Sequence, residues 1–409
     1  MSETPPIRRL SDWGPEPLRD IADEWGTPTY VLDLDRVAAN AARLAAAFPA
    51  ADIAYAVKAN TTRPVLERLA AAGVGAECAA AGEVERALAA GFPAERIRYT
   101  AVNPPARDLA SILETDAATA MTVTVGAEDT LDRLVERGFE GRLCVRVNPG
   151  VGAGHHEKVS TGAEPKFGVP YERATAVCER ARAVGDLVGV HAHVGSGISG
   201  DDLTAHRELV RRMGDLARTV GDLEFVAVGG GFGVPYHENE SPLDLSAVAR
   251  ATRDALGDVD AQLAIEPGRY FVADAGVLLT TVNTVKPTPE TTVIGVDAGM
   301  TTLARPALYD AYHAVRSLEP DRPPKPTTHV DITGPVCETA DVLGRDRQLP
   351  EPTRGDLLAV GNAGAYGYEM ASNYNSRPRP AVVVLEGDTD SRLAVRRETL
   401  ADVTRLEEP

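Results

Sequence analysis

Four places in the sequence put chemically versatile residues where an apolar run ends. Tyr55-Ala56-Val57-Lys58-Ala59-Asn60 carries one of only five lysines in the chain. A lysine there is either a solvated rim residue or, once burial lowers its pKa, an amine able to form a Schiff base with a carbonyl group. His191-Ala192-His193-Val194-Gly195-Ser196-Gly197 follows a second run. Residues two apart on a strand share a face, so the two imidazoles suit a metal, although no carboxylate ligand set accompanies them and a structural role is the plainer reading. Gly229-Gly230-Gly231-Phe232-Gly233 lets backbone N–H groups converge on an anion, or simply makes a turn. Glu266-Pro267-Gly268-Arg269-Tyr270 supplies an acid and a permanent cation within four residues.

Taken together, these residues describe a seat for pyridoxal 5'-phosphate. The aldehyde would sit on Lys58, the ring against His193, the phosphate at Gly230 and Gly231, and the pyridinium nitrogen on Glu266. No metal is called for. Such convergence needs a scaffold that gathers strand ends on one face, and the spacing of the runs predicts one. Ile53–Val57, Val74–Glu77, Ile97–Ala101, Met121–Val125, Leu143–Val147, Val188–His193, Phe225–Val228 and Leu263–Glu266 read as strands, with amphipathic helical stretches between them. Eight βα units over residues 35–275 predict a (β/α)8 TIM-type barrel, whose chemistry gathers at the C-terminal strand ends. An open doubly wound sheet is the alternative. From residue 276 to 409 the rhythm changes to strands punctuated by Pro and Gly without regular helices, predicting an all-β C-terminal domain. The extended segment within residues 1–34 is expected to join it.

Composition narrows the functional class. The chain has 409 residues, 44% hydrophobic and 25% charged, and a net charge of −18. That field opposes nucleic-acid and anionic-membrane partners. An acidic, arginine-rich, lysine-poor surface predicts a protein adapted to a salty cytoplasm. The N-terminus has no signal-like apolar region and no run is long enough to span a membrane, so a cytoplasmic location is expected. Cys78, Cys144, Cys178 and Cys337 form no C-x-x-C pair. Three of them read as small buried hydrophobes, and Cys337, between Gly334-Pro335 and Glu338, reads as functional.

The motifs Y-A-V-K-A-N, H-V-G-S-G, G-G-G-F-G and E-P-G-R-Y resemble the pyridoxal-phosphate decarboxylases with an alanine-racemase-like fold. Four further stretches are similar to the branch of that family acting on meso-diaminopimelate: His156-Glu157-Lys158 to Gly168, Arg305-Pro306-Ala307-Leu308-Tyr309 to His313, Gly334-Pro335-Val336-Cys337-Glu338 to Asp341, and Gly364-Ala365-Tyr366-Gly367 to Pro380. The resemblance implies a homodimer whose active site is shared across the interface. It implies that Lys58 carries the cofactor, that His193 stacks on it, and that Ser196, Gly231 and the run Glu266-Pro267-Gly268-Arg269 surround it. It further implies that Arg269, Arg305 and Tyr309 hold the distal end of the substrate, with Glu338 on its ammonium. Tyr366 would touch both molecules, and Cys337, from the neighbouring subunit, would donate a proton. Glu77-Cys78-Ala79-Ala80-Ala81-Gly82 departs from the family's usual Asp and Ser–Gly at the second strand. Relatives acting on ornithine, arginine or carboxynorspermidine are the alternative. The other histidines, His313 among them, are expected to be structural or superficial.

Overall fold

The computed structural model describes residues 5–151, 166–193, 195, 198, 202–319, 325–387 and 390–408. The chain divides into two compact units, residues 1–37, 235–240 and 272–409 in one and residues 38–234 and 241–271 in the other.

The second unit is a closed parallel barrel. Because β1 (Thr29–Asp33) belongs to the other unit, its strands are β2 (Asp52–Ala56), β3 (Gly75–Cys78), β4 (Ile97–Tyr99), β5 (Thr122–Val125), β6 (Arg142–Asn148), β8 (Asp186–His191), β9 (Phe225–Ala227) and β10 (Gln262–Ile265). A two-residue β7 (Val169–Pro170) pairs only with β6. Each strand pairs with its successor, β10 returns to β2 with Ile265 opposite Ile53, and the ring is unbroken at β5 and β6, where Val123 faces Leu143. The strands are almost wholly buried, as parallel strands under a layer of helices must be. Polar residues inside such strands therefore need partners, and Glu77, Arg98, Arg146 and His191 are all buried there.

One buried polar pair lies between helices. His206, on the helix Thr204–Val220, places Nε2 2.7 Å from the Thr252 hydroxyl, which itself donates to the Val248 carbonyl at 2.7 Å. The hydroxyl's own proton is therefore committed, so Nε2 is the donor to Thr252. Nδ1 is left as a bare lone pair, buried and with no partner among the described residues. Burial, with the nearby charge of Arg207, pushes the imidazole down to about 4. Between the ordinary value of about 6.5 and this one, the unfolded chain binds a proton that the folded chain refuses. Stability is therefore lost as pH falls through that window, by on the order of 3 kcal/mol. Urea unfolding followed from pH 7 to pH 4 should show a shallower pH dependence in His206→Gln than in the parent. Parallel curves would refute the assignment.

The first unit is a mixed sheet in the order β15-β14-β12-β11-β1-β17-β18, with β16 pairing β11 and β13. The strands are β11 (Gly276–Pro287), β12 (Thr292–Val296), β13 (Val315–Ser317), β14 (Thr327–Thr333), β15 (Val342–Pro350), β16 (Leu357–Val360), β17 (Ala381–Glu386) and β18 (Asp390–Val395). The N-terminal β1 sits inside this sheet, antiparallel to β11 and parallel to β17. Its Val31 packs with Trp13, Leu18, Val277, Leu279 and Val383 in one core. No helix among the described residues is long and apolar enough to cross a membrane.

Candidate active site

At the C-terminal end of β2 the chain makes a single 3-10 turn, Val57–Ala59, that carries Lys58. Its side chain is 47% exposed rather than buried. Its Nζ lies 2.9 Å from Oε2 of Glu77, a buried residue of β3. The unusual second-strand residue is thus an ion-pair partner of the predicted amine.

Glu266 directly follows β10. Its Oε2 lies 2.8 Å from His191 Nε2, and its Oε1 lies 3.5 Å from the Arg98 guanidinium. Arg98 is also paired with Asp52 and lies over the Phe225 ring, 4.5 Å from its centroid. Burial alone would favour the neutral acid. The His191 imidazole and its hydrogen bond, with the charges of Arg98 and Lys58, more than reverse this and hold the carboxyl well below the usual carboxylate range.

His193 lies just past the end of β8, two residues beyond the last paired position, rather than within the strand as its spacing suggested. Its Nδ1 accepts the Gly230 N–H at 3.1 Å. Burial, then the charges of Arg146 and Lys58, push the ring down to about 3, so it is neutral at any working pH and carries its proton on Nε2. The Gly230 N–H, which the sequence reading aimed at an anion, thus orients the imidazole. Glycine is required at position 229, where φ is +71° and a Cβ would lie 2.5 Å from that same Nδ1. The Gly231 carbonyl accepts the Ile198 N–H at 2.7 Å. Gly268 is buried beside Ala56 and Ala59, and the half-buried Arg269 opens the short helix Arg269–Val272. Ser196 lies outside the described residues, as does the stretch from His156 to Gly162. Among the described residues no cluster of three or more metal-ligating side chains occurs, and His191 is engaged with Glu266 instead.

The sheet unit holds the remaining predicted residues. Arg305 begins the helix Arg305–Tyr309 and is buried, with one amino group 2.7 Å from His313 Nε2. Tyr309 is half-buried at the end of the same helix. Cys78, Cys144 and Cys178 are buried, whereas Cys337 is exposed, its Sγ 3.6 Å from the Asn375 amide. Glu338 accepts the Tyr374 hydroxyl at 2.5 Å. The turn bearing Cys337 is anchored by Asp341, whose carboxylate accepts Met300 N–H at 2.5 Å and Val336 N–H at 2.6 Å. It approaches Gly334 so closely that a Cβ there would lie 2.3 Å from Oδ1. Tyr366 sits in a glycine-rich turn with φ +56°.

The motifs assign no role to Glu77, Arg98, Arg146 or Asp341, and they leave His191 between a metal ligand and a structural residue. The signal for the first three was present: a charged residue in the middle of a short apolar strand run must find a partner inside the barrel.

These residues fit a pyridoxal phosphate group: a lysine at a strand end, a buried carboxylate held ionised within reach of its charge, and a neutral imidazole oriented from the glycine turn. Closed barrel and site together define the class of pyridoxal-dependent decarboxylases, and residues 34–273 match the family described as "Pyridoxal-dependent decarboxylase, pyridoxal binding domain". The chain is 42% identical to the diaminopimelate decarboxylase of Methanothermobacter thermautotrophicus, over 94% of this chain and 92% of that one. It is 40% identical to that of Deinococcus radiodurans, over 95% and 98%. The crystal structure of diaminopimelate decarboxylase from Helicobacter pylori complexed with L-lysine superposes with a TM-score of 0.88 at 34% identity, covering 95% of this chain and 98% of that one. The chain belongs to the diaminopimelate decarboxylases.

Proposed function

We propose that this protein decarboxylates meso-2,6-diaminopimelate to L-lysine, the last step in making that amino acid, with pyridoxal 5'-phosphate attached at Lys58. The observation that carries the reading is the buried Glu266 carboxylate, held ionised by His191 and Arg98 within reach of the Lys58 charge. When bound, the cofactor supplies an electron sink for the pair released as the carbon–carboxylate bond breaks. Glu266 holds the proton on the ring nitrogen, without which the sink is weak. His193, neutral and fixed by Gly230, offers a flat face to the ring, and Ser196, Gly230, Gly231, Gly268 and Tyr366 complete its surroundings.

The leaving carboxylate needs no cationic clamp, because a charge about to vanish is better kept poorly solvated. Cations serve the other end of the substrate. Arg305, with Arg269 and Tyr309, grips the distal carboxylate, Glu338 pairs with the distal ammonium, and Tyr366 contacts the substrate. Carbon dioxide departs, and the Cys337 thiol delivers a proton to the carbon it leaves. Cys337, Glu338 and Tyr374 are all exposed in the single chain, which supports a homodimer in which these residues serve the neighbouring subunit's site. The acidic, lysine-poor composition supports a salt-rich cytoplasm.

Incubating the purified protein with pyridoxal phosphate and meso-diaminopimelate is expected to yield L-lysine and carbon dioxide in equal amounts. Carbon dioxide from ornithine or arginine, with none from diaminopimelate, would overturn the substrate assignment.

A further inference from the structure

His313 is not superficial: it is completely buried and bonded at both nitrogens. Nδ1 lies 2.8 Å from the Gly361 carbonyl, which can only accept, so Nδ1 carries the proton. Nε2 is then a lone pair, and the Arg305 amino group 2.7 Å away donates to it. The Tyr236 ring lies beneath the guanidinium, 4.9 Å from its central carbon, and meets the imidazole edge to face at 5.4 Å. Arg305 is thus held from two sides, by an acceptor and by an aromatic face.

The choice of acceptor matters. A carboxylate in the place of His313 would orient the guanidinium and neutralise it together. A neutral imidazole orients it without itself cancelling its charge. The backbone carbonyl of Gly361 is what keeps the imidazole in the accepting tautomer, as a protonated Nε2 would push the cation away.

We propose that His313 is a positioning residue that sets substrate selectivity by aiming Arg305 at a carboxylate on the far end of the substrate. This rests on the reading of Arg305 given above. It predicts that His313 matters for ligands that bear such a carboxylate and is indifferent to those that lack it. L-lysine retains the carboxylate and 1,5-diaminopentane does not, so the ratio of their dissociation constants on the holoenzyme reports the grip alone.

In Arg305→Gln and His313→Asn, binding of L-lysine should weaken roughly tenfold or more, the scale of a lost charged hydrogen bond, while the diamine binds as before. KM for diaminopimelate should rise with kcat nearly unchanged. His313→Gln, whose amide oxygen can reach the position of Nε2, should recover most of the lysine affinity. If Arg305→Gln collapses the ratio and His313→Asn leaves it intact, the proposal fails and the role of Arg305 stands. An unchanged ratio in Arg305→Gln removes the grip itself. Nitrogen NMR of the imidazole in the parent protein needs no variant: the Nδ1–H tautomer is expected, and the Nε2–H tautomer would overturn the proposal.

Discussion

Lys58→Ala should abolish covalent attachment of pyridoxal phosphate and lower kcat by roughly four orders of magnitude or more, while leaving the fold in place. The two effects separate because of where the side chain lies. Lys58 is about half exposed, and a pair of that kind adds at most ~1 kcal/mol to stability. Glu77, its partner, is not abandoned on substitution, because the charge of Arg146 also acts across that space. Melting temperature should therefore hardly move. Borohydride reduction of the parent holoprotein, followed by mass spectrometry, should label Lys58, and the label should be missing from the alanine variant. Lys58→Arg keeps a cation beside Glu77 and should be equally inactive. A label on another lysine, or full activity in either variant, would break the assignment.

Glu266→Gln is expected to reduce kcat by on the order of a hundredfold to a thousandfold, with KM little changed, because the neutral amide cannot hold a proton on the ring nitrogen. The cofactor should still attach through Lys58. Its absorbance should titrate at lower pH than in the parent, reporting the lost proton affinity. A second consequence concerns acid. Because His191 and Arg98 overcome burial and keep the Glu266 carboxyl well below its usual range, it stays ionised as pH falls through about 4.5. Any acid limb of the parent's kcat profile above about pH 5 must then come from another group. A Glu266→Gln enzyme of parental kcat would show that the charge plays no part in the reaction.

The barrel was legible because buried parallel strands are short, nearly continuous apolar runs separated by helices of ordinary length, and all eight runs fall on observed strands to within a residue or two. The sheet unit was harder. Val342–Pro350 reads Val-Leu-Gly-Arg-Asp-Arg-Gln-Leu-Pro, and its mid-strand residues are exposed at the edge of the sheet, so no apolar run marks it. Pro235–Glu240 groups with the sheet unit through contacts distant in sequence, such as Arg9 to the His237 and Glu240 carbonyls, which no local pattern encodes. In the site, residues that end strands were visible, because the barrel places them by rule. Arg98 and Asp341 were not, since each acts through another residue: one on the Glu266 carboxylate, the other on the turn that bears Cys337. His313 was read within its motif but not in its role, because only the fold brings Gly361 to its other nitrogen.

The place of Thr29–Asp33 between Gly276–Pro287 and Ala381–Glu386 carries a consequence for biosynthesis. This strand leaves the ribosome long before its neighbour Ala381–Glu386. The barrel can close while translation continues, but the sheet must wait for Ala381–Glu386, and until then Thr29–Asp33 has at most one of its two neighbours. Chaperone demand should therefore centre on that early segment, and nascent chains arrested before Ala381 should expose it to proteases.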